Sequence, residues 1–224
     1  MTLLDQSVGW IARNIPGSTR LFRDYELDFC CGGKHSLRDA LTEKGIAPEP
    51  LLEHLVSLQD TPAAEHDWSQ ASRPELIDHI LRRYHARHRE QLPELIHLAR
   101  RVEQVHGERP ECPVGLAQHL GNMLQELESH MLKEENVLFP MLLQGIGGMQ
   151  VNGPVSVMRF EHDQHGEALA ILAALTNNLQ LPKGACNTWR ALYAGLAQLR
   201  DDLMQHIHLE NNILFIDALG GQHG

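Results

Sequence analysis

The sequence predicts an all-α protein: an up-down-up-down four-helix bundle preceded by a small N-terminal helical domain. Three observations predict it. Apolar residues recur at alternating steps of three and four over four long segments, the inward stripe of a bundle helix. Short turn-rich stretches separate those segments, which makes successive helices antiparallel neighbours. Two segments also rhyme, HMLKEENVLFPML at 130–142 and HIHLENNILFIDAL at 206–219, as duplication of a two-helix unit would leave them.

The first bundle helix starts at Ser72-Arg73-Pro74-Glu75, a capping box with Pro in the first turn, and runs to about His106. Its apolar face carries Ile77, Leu81, His85, Leu92 and Leu95. The loop GERPECP follows. The second helix runs from about Val114 to Leu143 with a bend near Pro140, on a stripe of Leu116, Leu120, Met123, Leu127, His130, Glu134, Val137 and Met141. After GIGGMQVNG, Pro154 opens the third, which reaches about Asn178 on Val155, Met158, His162, His165, Leu169 and Leu172. The turn LPKG precedes the fourth, from about Ala185 to Leu219, on Leu199, Leu203, His206, Glu210 and Ile213. Residues 1–60 read as a separate domain of two or three short helices around a CCGG turn, 61–71 as a linker, and 72–224 as the bundle.

Composition narrows the function. Hydrophobic residues make up 42% of the 224, enough for a packed core. A formal net charge of -10 without any Lys/Arg cluster argues against a nucleic-acid-binding face. The first residues lack the basic and apolar regions of a signal peptide, and no apolar run approaches a membrane span. The four Cys include an adjacent pair, Cys30 and Cys31, poorly placed for a disulfide. A cytoplasmic protein, monomeric or homodimeric, is expected.

The 15 His residues are the compositional outlier. His130 with Glu134 and His206 with Glu210 are each His-x-x-x-Glu, so each pair shares a helix face one turn apart. His85 and His162 precede them by 45 and 44 residues. Two Glu on core stripes need partners, because a buried charge is costly unless paired or bound to metal. Four imidazoles and two carboxylates form a set for two metal ions about 3.5 Å apart, each Glu bridging. The blander alternative is a set of satisfied core histidines with two snorkelling Glu, which the repetition disfavours. Mixed nitrogen and oxygen donors leave copper and manganese open. Zinc has less use for two bridges, and open positions favour non-haem iron.

These residues carry a resemblance. DFCCGG, YHARHREQLPEL, SHMLKEENVLFPM, EHD and HIHLENNILF make the chain similar, over nearly its whole length, to the repair-of-iron-centres family of hemerythrin-like di-iron proteins. The resemblance implies that His85, His130, Glu134, His162, His206 and Glu210 bind two non-haem irons, with Glu134, Glu210 and an oxo or hydroxo group as bridges. Glu at both bridging positions weakens an oxygen-storage role. The implied function is repair of iron–sulfur clusters damaged by nitrosative or oxidative stress, by supplying iron. The partners would be damaged or apo iron–sulfur proteins. Two rival readings use the same site: an enzyme reducing nitric oxide, and a module binding or sensing oxygen or nitric oxide.

Further residues are candidates for supporting roles. His88 and His165 lie three residues after ligand candidates, as edge histidines or extra ligands. Glu126 and Glu161 stand where they could orient imidazoles, line a path for ions, or be plain surface charges. Glu135 and Asn211, which follow the two bridging Glu, read as solvated or capping groups. Cys30 and Cys31 are vicinal thiols, suited to transient metal or thiol exchange or merely buried; the resemblance implies iron transfer or partner contact. Cys112 and Cys186 read as incidental.

Overall fold

The computed structural model describes residues 2–31, 33, 35–59 and 66–220. Gly32 of the CCGG turn and residues 61–65 of the expected linker lie outside them. No strand occurs among the described residues. The first helices are α1 (Val8–Asn14), α2 (Ser18–Asp24), α3 (Leu37–Lys44) and α4 (Pro48–Gln59). The expected two or three short helices are therefore four, because Pro16-Gly17 divides the first stretch. Gly17 sits at φ 85 before α2, a conformation cheap only for Gly.

Four long helical rods follow. The first joins α5 (Arg73–Ile80), a π turn π1 (Leu81–His85) and α6 (Ala86–His106). The second joins α7 (Leu116–Lys133), π2 (Glu134–Leu138) and α8 (Phe139–Leu143). The third is α9 (Asn152–Leu175), and the fourth joins α10 (Asn187–Leu209), π3 (Glu210–Leu214) and α11 (Phe215–Ala218). At the start of the first rod, Glu75 reaches back to the Ser72 N–H at 2.9 Å, as the capping box predicts. Close to Pro140, where the sequence suggests a bend, π2 instead widens the helix, with the Phe139 N–H bonded to the Glu134 carbonyl five residues back.

Contacts group the chain into two compact units. One comprises Met1–Ile77, Met141–Arg159 and Met204–Gly224, the other Asp78–Pro140 and Phe160–Leu203. In the second, cross-helix bonds fix the topology, since paired residue numbers run in opposite senses. Glu103 accepts from the Ala117 N–H while Arg89 meets Glu128. His119 meets the Ala168 carbonyl while His130 meets Glu161. His106 meets Cys186 while Arg83 meets Asp202. Thus α7 runs antiparallel to α6 and α9, and α10 runs antiparallel to α6. Gly195 permits that last approach: a Cβ there would lie 2.6 Å from Leu95 Cδ2.

In the first unit, Val8, Ile11, Phe22, Leu27, Phe29, Leu37, Leu41, Leu51 and Leu55 are fully buried or nearly so. Ser7 and Ser36 cap α1 and α3 by accepting from the N–H groups of Trp10 and Asp39. The Cys-bearing loop is zipped to α1 through the Val8 N–H to the His35 carbonyl and the Gly9 N–H to the Gly33 carbonyl at 2.9 Å.

Candidate metal centre

Each π turn contains or begins at a ligand candidate. His85 ends π1, Glu134 begins π2 and Glu210 begins π3. A π turn adds one residue to the helical repeat and re-aims the side chains around it, and such turns recur at functional sites. The sequence pattern alone did not reveal these turns. They have a visible consequence in the second rod. Beyond Glu134 the expected stripe at Val137 and Met141 fails: Val137 is 51% exposed, and Leu138, Phe139 and Leu142 fill the core instead. The unbroken α9 keeps its expected stripe, with Val155, Met158, His162, His165, Leu169 and Leu172 all buried.

Four ligand candidates lie together in the second unit. His130, Glu134 and His162 have donor atoms within 4.8 Å of one another, and so do His85 and Glu134. All four residues are at most 1% exposed. Glu134 Oε2 stands 3.4 Å from His85 Nε2 and 3.5 Å from His130 Nε2, too far for good hydrogen bonds. The imidazoles are held from behind. His85 Nδ1 lies 2.8 Å from Glu135 Oε1 and His130 Nδ1 lies 2.9 Å from Glu161 Oε2. An ionised carboxylate only accepts, so each Nδ1 carries a hydrogen and each Nε2 is turned toward Glu134. This carboxylate–histidine arrangement orients metal-binding imidazoles. His130 Nε2 also faces His162 Nε2 at 3.1 Å. Nitrogens converging beside a desolvated carboxylate fit a cation.

The orienting carboxylates are themselves anchored. Burial pulls Glu135 up, but hydrogen bonds from Arg89 and His85 outweigh it and leave its carboxyl below the usual value. The Arg89 guanidinium bridges Glu135 at 2.8 Å and both oxygens of Glu128. The hydrogen bond from His130, assisted by Lys133, brings Glu161 down to about 2.

In the first unit, His206 and Glu210 are fully buried, with Nε2 3.1 Å from Oε1. The residues after Glu210 hold the Cys-bearing loop. Asn211 Nδ2 donates to the Cys30 carbonyl at 3.0 Å, and Asn212 Nδ2 donates to the Phe29 carbonyl at 2.9 Å. Asn212 Nδ2 also lies 3.0 Å from His208 Nδ1. Burial holds the His208 imidazole down at about 3, consistent with a neutral ring accepting that bond. Cys30 Sγ and Cys31 Sγ are 3.4 Å apart, and Asp28 Oδ1 accepts from both Cys amides.

Several expectations change. Glu135 is no solvated group but the partner of His85 and Arg89. Asn211 binds the Cys30 carbonyl through Nδ2. Both could have been suspected from their equivalent places after the repeated His-x-x-x-Glu. Glu126 is exposed: the stripe steps from Met123 to Leu127 to His130, leaving Glu126 beside it. His88 and His165 are buried but fall outside the converging donor groups; the His165 ring stands edge-on to His130 at 5.0 Å. Cys186, read as incidental, meets His106 Nε2 at 3.2 Å. Asp28 and Asn212 lie in the quoted motifs, but nothing in the spacing marks them as holding the Cys-bearing loop.

A helical protein that aims buried imidazoles at a buried carboxylate is of a cation-binding class. Residues 76–216 match the hemerythrin HHE cation binding domain, and residues 4–59 match a domain of unknown function, DUF542. The chain is 50% identical over 218 residues to the iron-sulfur cluster repair protein YtfE of Dickeya chrysanthemi (strain Ech1591), covering 97% of this chain and 98% of that protein. It is also 50% identical over 222 residues to the proteins of the same name from Yersinia pseudotuberculosis serotype IB (strain PB1/+) and Yersinia pestis (strain Pestoides F), covering 99% of this chain and all of each relative. The chain belongs to the hemerythrin HHE family and, within it, stands with these YtfE proteins. No helix among the described residues is long and apolar enough to cross a membrane.

Proposed function

We propose that this protein repairs iron–sulfur clusters damaged by nitrosative or oxidative stress, by supplying iron from a pair of non-haem ions. His85, His130, Glu134, His162, His206 and Glu210 would hold them, with Glu134 and Glu210 as bridging carboxylates. The observation that carries the reading is the paired back-bonding of His85 to Glu135 and His130 to Glu161, which turns two Nε2 atoms toward a fully buried Glu134. The relatives' name supplies the substrate class. The repeated His-x-x-x-Glu supports two ions rather than one.

When bound, iron supplies redox-dependent affinity, the ferrous form being released more readily than the ferric. The protein's part is to fix the donors. Glu135 and Glu161 would hold the Nδ1 hydrogens and so present each Nε2 to the site. Arg89 and Lys133 keep those two carboxylates ionised. The apolar stripe of α9 excludes water from the His162 side. Cys30 and Cys31 assist transfer.

The test is metal content with Mössbauer spectra on anaerobically purified protein, followed by restoration of a nitric-oxide-damaged [4Fe–4S] enzyme. Two irons per chain and restored clusters are expected. A Glu134→Ala variant that still loads two irons and restores clusters at the parental rate would sink the assignment.

A further inference from the structure

The Cys-bearing loop brings a second kind of donor set together, and it lies wholly within the first unit. Asp28, Cys30 and Cys31 each offer an atom within 4.8 Å of the others. The two sulfurs are 3.4 Å apart, and Asp28 Oδ1 is 3.3 Å from Cys30 Sγ. Two sulfurs on one tetrahedral cation at about 2.3 Å each would stand about 3.8 Å apart, so a few tenths of an ångström of opening admit the ion. Thiolate and carboxylate together select a thiophilic cation, in contrast to the imidazole-rich bundle.

The loop is also held ready. Two amides, those of Cys30 and Cys31, bind Asp28 Oδ1 at 2.9 and 3.0 Å. Asn211 and Asn212 fasten the Cys30 and Phe29 carbonyls. Gly9 and Gly33 let the loop lie flat on α1: a Cβ on Gly33 would lie 2.9 Å from the Phe29 carbonyl and 3.1 Å from Gly9 Cα. Donors fixed in this way lose little freedom on binding an ion. Solvent reaches the set through exposed Asp28 and half-buried Cys31, while Cys30 is buried.

We propose that Asp28, Cys30 and Cys31 form a second metal site, with two sulfurs and one oxygen, for a single thiophilic divalent cation. Naming that cation as ferrous iron in transit rests on the repair reading; its capture by these donors does not. Binding expels the thiol protons: the cation and two thiols give a dithiolate complex and two protons. Three donors from this chain leave a fourth position for an incoming ligand, such as a cysteine of an apo cluster protein.

The test is anaerobic titration with cadmium, followed by ultraviolet thiolate-to-cadmium charge transfer, on the full-length protein with its bundle metal in place. One equivalent should bind with the charge-transfer band. Cys30→Ser and Cys31→Ser should each weaken the band and the double variant abolish it, and Cys112→Ser and Cys186→Ser should leave it. Asp28→Asn keeps an oxygen for the two loop amides and removes the charge, so the loop keeps its shape and affinity should fall by about tenfold or more. A missing band in the parent, a band surviving in the Cys30→Ser/Cys31→Ser double variant, or parental affinity in Asp28→Asn each overturns the proposal. Cadmium binding without any cluster repair would sink the repair reading and leave this site standing. Cluster repair in a protein that shows no band would do the reverse.

Discussion

His85 and Glu135 lie fifty positions apart and meet at 2.8 Å through Nδ1, turning the other ring nitrogen toward Glu134. Because the carboxylate fixes the tautomer, replacing it should weaken metal binding while every direct ligand remains. Glu135→Ala should lower metal affinity by about 10- to 100-fold, read by competition with a chelator. Parental affinity would show that His85 is oriented by its surroundings alone.

Glu134 should matter to stability through the metal. It is fully buried beside the Nε2 atoms of His85 and His130, and a cation bound there adds its binding free energy to the folded state. Glu134→Gln should therefore lower the melting temperature of loaded protein more than that of metal-free protein. Thermal unfolding of both forms checks this, and an equal shift in the two would refute it.

The register beyond π2 can be tested by a pair of substitutions. Val137→Lys, on the exposed side, should change stability by no more than about 0.5 kcal/mol. Leu138→Ala, 1% exposed, should cost about 2–5 kcal/mol. An uninterrupted α-helical stripe predicts the reverse order.

Gly9 is where α1 meets both the loop and Asn212. A Cβ there would lie 2.7 Å from Asn212 Oδ1 and 3.0 Å from the Gly33 carbonyl. Gly9→Ala should destabilise the protein by about 1–3 kcal/mol and speed hydrogen exchange at the amides of Cys30 and Cys31. Unchanged exchange would mean that the loop is held without this approach.

Asp5 gives a pH signature in the N-terminal helices. Hydrogen bonds from the Thr2 hydroxyl and Arg38 lower its pKa from 3.8 to about 2. A depressed folded value means the contribution is complete above the unfolded pKa and is lost as pH falls through the folded one. Stability should therefore decline from about pH 4 toward pH 2, and Asp5→Asn should flatten that part of the curve. Salt should weaken the effect, since the pair is exposed. A curve unchanged by the substitution would exclude Asp5 as its source.

The sequence by itself determined the class of fold and the candidate donors. Step-three and step-four spacing marks four helices, and a His or Glu on such a stripe must face inward wherever the helix stays regular. That is why His162 and the whole stripe of α9 could be read directly. Tertiary structure decided what spacing does not encode. A π turn is a one-residue change of winding that the same apolar residues accommodate, so the slip from Val137 to Leu138 was invisible beforehand. The partners of the imidazoles and of the Cys-bearing loop are distant along the chain: Glu135 from His85, Asn211 from Cys30. Only folding brings such pairs within hydrogen-bonding distance, and it thereby separates an orienting carboxylate such as Glu135 from a solvated one such as Glu126.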